Sequence, residues 1–292
     1  MSPSAEAYDV CMSAQSRRAF LTRSAALCAA TKLSLADALT KNNLGVQLYT
    51  VRSIIGKDPA GVLKQIHDIG YAEVEATAET LKTGWSAIQS SGLKATSVHL
   101  NTNPNDEELA DAKSKAFDYA VVPYIAPAER GGVDVIKKLA DTIQQAGERA
   151  RKHGLQLCYH NHAFEYEPMG GTTPLEIIMG GTDPKLVMLE LDIFWATVAG
   201  QNPVNILQKY SGRVPLLHLK DKQKNVPEAP QYNENVPNSA FKEIGKGSID
   251  IPAVLKAADA AGAKHYFVEQ DQTPDPIASL RQSYSYLKKQ FA

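Results

Sequence analysis

From Leu44 onward the chain repeats one pattern: a short apolar run, an amphipathic helix-like stretch, and a glycine-rich stop. "LGVQLYT" reads as a strand, and "DPAGVLKQIHDIG" follows as a helix, capped by Asp58-Pro59 at its start and by Gly70 at its end. "YAEVEA" leads into "AETLKTGWSAIQSSG", and "LKATSVHL" is the third strand. The pattern continues through "AFDYAVVPYI", "DVIKKLADTIQQAGERARKHG", "LQLCYHNH", "KLVMLELDIFW" and "NPVNILQKYSG". It ends with "VPLLHLKD", "IPAVLKAADAAG", "KHYFVEQD" and "PIASLRQSYSYLKKQF", which makes eight strand-helix units. Open doubly wound sheets have about five to seven strands and a Gly-rich nucleotide loop, and no G-x-G-x-x-G follows the first strand here. Eight units in about 250 residues predict an α/β chain closed into a single (β/α)8 TIM barrel over residues 42–292.

Such a barrel gathers its chemistry at the C-terminal strand ends, because those ends converge on one mouth. The ends here are polar: Gln47 on strand one, Glu75 on two, His99 on three, His160 and His162 on five. Glu190 and Asp192 follow on six, His218 and Lys220 on seven, Glu269 and Asp271 on eight. Buried carboxylates and imidazoles are costly unless paired or bound to a cation, so gathering them implies a metal, a polar substrate, or both. Side chains alternate along a strand, so His160 and His162 share a face, as do Glu190 with Asp192 and His218 with Lys220. With that face inward, His160, Asp192, His218 and Glu269 make a mixed nitrogen and oxygen site for one divalent ion (Mn, Co, Zn or Mg).

The composition narrows the partner. With 31 basic and 32 acidic residues the net charge is −1, which provides no electrostatic footprint for nucleic acid. No stretch is long and apolar enough to predict a membrane span. A small molecule is the expected partner, with Trp195 as a flat wall and Gln47, Glu75 and His99 as further substrate contacts. Assembly as a homo-oligomer is left open. Residues Lys222 to Ala240, with three prolines, read equally as a lid over the mouth or as a solvated loop.

The segments "GVQLYTVR", "YHNHAFEY", "ELDIFWATVAG", "HLKD", "IGKGSID" and "VEQD", in this order, resemble the xylose-isomerase-like TIM barrels of the sugar phosphate isomerase/epimerase kind. That resemblance implies a divalent metal on a Glu of strand five, an Asp of six, a His of seven and a Glu of eight. Asp192, His218 and Glu269 match the last three positions, whereas His160 stands where relatives carry a glutamate. The implied activity is isomerisation or epimerisation of a sugar, keto-sugar or polyol by removal of a proton next to a carbonyl, through an enediolate. Glu269 is the first choice of base, with His162 or Glu165 as the second and Lys220 polarising an oxygen. The missing glutamate raises an alternative, a lyase or dehydratase acting on a keto-glycoside or keto-polyol. A sugar-binding barrel without turnover is the third reading.

Before the barrel, "SRRAFLTRSAALCAA" places Arg17 and Arg18 ahead of a small, moderately apolar run. Residues 1–41 therefore resemble a twin-arginine signal, from which export to the periplasm is expected. Arg23 and Lys32 interrupt the run and keep open a cytoplasmic protein with an amphipathic arm. Of three cysteines, Cys11 and Cys28 fall in this leader and Cys158 in the barrel, so no disulfide framework is expected.

Overall fold

The structure is a computed structural model that describes residues 39–40 and 42–291. The expected leader, apart from residues 39 and 40, lies outside the described residues. Eight strands close into a parallel barrel: β1 Leu44–Gln47, β2 Glu73–Thr77, β3 Lys94–His99, β4 Tyr119–Val122, β5 Gln156–His160, β6 Val187–Asp192, β7 Leu216–Leu219 and β8 His265–Val268. Each strand pairs with its sequence neighbours, and β1 closes on β8. The covering helices are α1 Pro59–Ile69, α2 Ala78–Ser90, α3 Asp106–Ser114, α4 Val133–Lys152, α5 Pro174–Gly180, α6 Pro203–Lys209, α7 Ile251–Ala261 and α8 Pro276–Leu287. Among the described residues no helix is long and apolar enough to cross a membrane.

Local chemistry sets the punctuation. Asp58 accepts from the Gly61 N–H at 2.9 Å to cap α1, and Gly70 ends that helix at φ +118°, a conformation few side chains tolerate. β1 stops at Gln47, three residues earlier than the sequence suggests, because the Gln47 side chain accepts the Tyr49 N–H at 2.8 Å and turns the chain into a 3₁₀ helix. β6 likewise stops at Asp192, whose Oδ1 accepts the Trp195 N–H at 2.9 Å and caps a short helix, Ile193–Val198.

The barrel interior is layered. Its middle is apolar, with Val121, Cys158, Leu216 and Phe267 fully buried against one another. Gly45 completes that layer, since a Cβ there would lie 2.7 Å from the Phe267 ring. Toward the N-terminal end, Glu73 meets His265 at 2.7 Å. One pleat from the apolar layer in the other direction come Gln47, Glu75, His160, Glu190 and His218, all buried.

After β7 the chain makes an antiparallel ribbon, Asp221–Lys222 with Phe241–Lys242, which the sequence reading missed. Asp221 holds the following turn, accepting the backbone N–H of Gly245 at 2.9 Å, Gly247 at 2.8 Å and Ile249 at 3.1 Å.

Candidate active site

A cavity of about 600 Å³ opens at the C-terminal ends of the strands. His99, His160, His162, Trp195, Lys220 and Glu269 all line it, as do Asp271, Tyr124 and Glu234. Glu234 and Val236 come from the proline-bearing segment between the two ribbon strands, so that segment forms part of the cavity wall. Arg130 anchors it through Glu234 at 2.8 Å and lies 3.9 Å from the centre of the Phe164 ring.

The cavity floor is a knot of imidazoles and carboxylates. His99 Nε2 lies 2.9 Å from Glu190 Oε2 and 3.1 Å from Glu75 Oε1. His218 Nε2 lies 2.5 Å from Glu75 Oε1 and 3.3 Å from Glu190 Oε2, while its Nδ1 meets Glu269 Oε2 at 2.8 Å. His160 Nδ1 meets the same Glu190 oxygen at 3.1 Å, and its Nε2 faces Asp192 Oδ2 at 3.8 Å. Glu190 Oε1 has no hydrogen-bond partner although it is buried. Charge partition follows from these contacts. Burial pushes the Glu75 carboxyl up, but His99 and His218 outweigh it and hold it well below the usual range. Burial works against a charge on His99, yet Glu75 and Glu190 raise it to about 9. Glu190 is pushed up to about 7 by burial and by the Glu75 charge.

Above the knot sits an ion cluster centred on Lys220. Its Nζ lies 2.7 Å from Glu269 Oε2, 3.0 Å from Asp192 Oδ2 and 3.2 Å from Asp271. Burial opposes the ammonium, but Asp192, Asp271 and Glu269 outweigh it and raise Lys220 well above its ordinary value. Burial raises Glu269, and Lys220 and His218 then drive it far below the normal carboxylate range. Asp271 is pushed up to about 7 by burial. Asp221, next in sequence, points to the opposite face and holds the turn after the ribbon instead.

His162 lies beyond the end of β5, tilted against Trp195 at 5.4 Å and edge-on to Tyr124 at 5.2 Å. Its Nδ1 has no hydrogen-bond partner, and burial, followed by the nearby Lys220 charge, holds the ring well below its ordinary value, hence neutral.

Three sequence expectations need correction. Gln47 and Glu75 do not face the cavity: Gln47 Nε2 donates to Glu75 Oε1 at 2.8 Å, and Ser97, His99 and His218 occupy the rest of that carboxylate. They brace the floor and do not line the cavity. Glu165 is fully buried away from the mouth, where it accepts from the Tyr159 hydroxyl at 2.7 Å and the His162 N–H at 2.9 Å. It fixes the β5 loop and does not line the cavity.

The donors fit a divalent ion. Asp192, His218 and Glu269 bring ligand atoms within 4.8 Å of one another, and so do His99, His160, Glu190 and His218. His160, expected in the first group, belongs to the second, and His218 belongs to both through opposite ring nitrogens. Strand parity had picked out Glu190 and Asp271 as strand-end groups without giving either a role. Tyr124 and Glu234 carried no signal beyond an aromatic after β4 and a charge in a proline-bearing loop.

The family of xylose isomerase-like TIM barrels matches residues 63–290. An inosose dehydratase of Bacillus cereus (strain AH820) is 35% identical over 143 residues, covering 47% of this chain and 47% of that protein. The chain thus spans about half the length of the first curated relatives it matches. A sugar phosphate isomerase/epimerase from Parabacteroides distasonis superposes with a TM-score of 0.71 at 23% identity, over 88% of this chain and 97% of that one. The IolI protein, solved with a bound zinc atom, superposes with a TM-score of 0.64 at 17% identity, over 85% and 95%. At these identities the structural likenesses speak for the fold. The chain belongs to the xylose isomerase-like TIM barrel family.

Proposed function

We propose that the protein is a metal-dependent lyase that removes water from a keto-polyol or keto-sugar, in preference to the isomerase expected from the family resemblance. The similarity to inosose dehydratases favours this outcome, since a dehydratase and an isomerase share the first proton transfer and differ in where the electrons go next. The observation that carries the reading is the pairing, on one cavity, of a neutral imidazole, His162, and a carboxyl held near neutrality, Asp271.

A divalent ion bound at the floor donors would polarise a carbonyl oxygen and steady negative charge beside it. His162, which lines the cavity, accepts the proton from the carbon next to the carbonyl. Lys220, held protonated by Asp192 and Glu269, offers positive charge to the oxygen that gains negative charge. Asp271 donates a proton to the departing hydroxyl, so the carbon–oxygen bond breaks, a double bond forms and water leaves. Glu269 suits the role of base less well, because its carboxylate is already paired with Lys220 and His218. Trp195 and Tyr124 provide flat walls for the ring of the substrate. Among the described residues Lys220 is the one Lys or Arg that lines the cavity, and it already faces Asp192, Glu269 and Asp271. A phosphorylated substrate is therefore disfavoured.

The test is a product assay on a panel of inososes and 3-keto-sugars with and without phosphate, using metal-reconstituted protein. Loss of the mass of one water from a non-phosphorylated member supports the proposal. Products of unchanged mass across the panel would return the protein to the isomerases.

A further inference from the structure

We infer that the divalent ion binds one layer below the set expected from the sequence, held by His99, His160, His218 and Glu190 with Glu75 alongside. This deepens the proposed function, since it rests on the protein being metal-dependent.

Two observations support it independently. The first is the geometry of the floor. Zinc–nitrogen bonds of about 2.0–2.1 Å place donor atoms sharing one ion roughly 3 to 3.5 Å apart. The approaches of His99 Nε2, His160 Nδ1 and His218 Nε2 to Glu190 Oε2 are 2.9, 3.1 and 3.3 Å. The three rings form a triangle about that oxygen, with centroids 5.3, 5.4 and 4.4 Å apart. Hydrogen bonds account for one partner of each nitrogen, His99 Nε2 and His160 Nδ1 with Glu190 Oε2 and His218 Nε2 with Glu75 Oε1. They leave the second oxygen that faces His99 and His218 unmatched. His99 Nε2 and His218 Nε2 each face two carboxylate oxygens, Glu75 Oε1 and Glu190 Oε2, yet each nitrogen has at most one proton to give. A cation satisfies all of these atoms at once. His99 and His160 also line the cavity, so an ion among them is within reach of a bound oxygen.

The second observation is that the expected set already holds a positive charge. The Lys220 ammonium stands 3.0 Å from Asp192 Oδ2 and 2.7 Å from Glu269 Oε2, which are two of the four ligands expected there. A divalent ion in that place would have to displace a buried ammonium or sit against it, and like charges at such distance repel strongly. The replacement of the family's strand-five glutamate by His160 fits the same picture, because an imidazole reaches Glu190 through Nδ1.

Zinc alone is the probe. Crystals of the wild-type protein soaked in zinc should show an anomalous peak about 2.0–2.2 Å from His99 Nε2 and Glu190 Oε2. By calorimetry, His99→Ala and Glu190→Gln should weaken zinc binding about 10²-fold or more, while Asp192→Asn and Glu269→Gln stay within about threefold of wild type. The diffraction arm uses the unaltered chain, so misfolding of a variant leaves the question decidable. A peak between Asp192, His218 and Glu269, with Lys220 moved aside, overturns the deep site and leaves the metal-dependent reading standing. Wild-type protein that takes up no zinc by either method overturns both.

Discussion

Glu165 shows how a residue three positions from the cavity-lining His162 can be structural. It receives two donors, Tyr159 and the His162 N–H, and so fixes the loop on which His162 stands. Burial pushes its carboxyl up to about 8 from a usual 4.5. Between those values the folded protein keeps a proton that the unfolded chain releases, so stability is fully present below the lower value and is lost as pH rises toward the upper one. Each pH unit across that window is worth up to about 1.4 kcal/mol. Glu165→Gln has no charge to lose. Thermal unfolding from pH 5 to pH 8 should therefore show the variant gaining on wild type as pH rises, and a constant gap would contradict the assignment. A second expectation belongs to Gly45, whose missing side chain makes room for the Phe267 ring. Gly45→Ala should cost about 1 to 3 kcal/mol by overpacking, read as a shift in the denaturant midpoint.

At the scale of elements, the barrel was legible and the rim was not. Eight apolar runs with their glycine stops are local signals, and the structure closes them in order. Strand ends were read too long wherever a side chain capped the next turn, as Gln47 and Asp192 do, because a cap and a strand residue look alike in sequence. Parity correctly grouped Glu190 with Asp192 and His218 with Lys220, since alternation is a property of one strand. It could not reveal that Lys220 would settle among Asp192, Glu269 and Asp271, because three different strands bring those groups together. The ribbon was also hidden, and the segment it carries read equally as a lid or a loop, because its anchor, Arg130, is distant in sequence from Glu234. Arg130→Ala should loosen that part of the wall, raising KM with little change in the unfolding temperature. Steady-state kinetics checks this, and an unaltered KM would show that the segment does not depend on the pair.

Across the whole molecule, an apolar middle layer separates a salt-bridged base from a polar mouth, so the costly charges lie at the one end where a ligand can reach them. Packing makes the barrel rigid, and the ion cluster at its end stores charge of both signs within a few ångströms. The central claim is that this end removes a proton beside a carbonyl through His162 and then expels water. The direct measurement follows deuterium uptake at that carbon and water loss together, by nuclear magnetic resonance in deuterated water, for wild type and His162→Asn with zinc content matched. The account predicts that both processes fall together in the variant, by about 10² to 10⁴. A His162→Asn protein that still exchanges its substrate proton at the parent rate would contradict it.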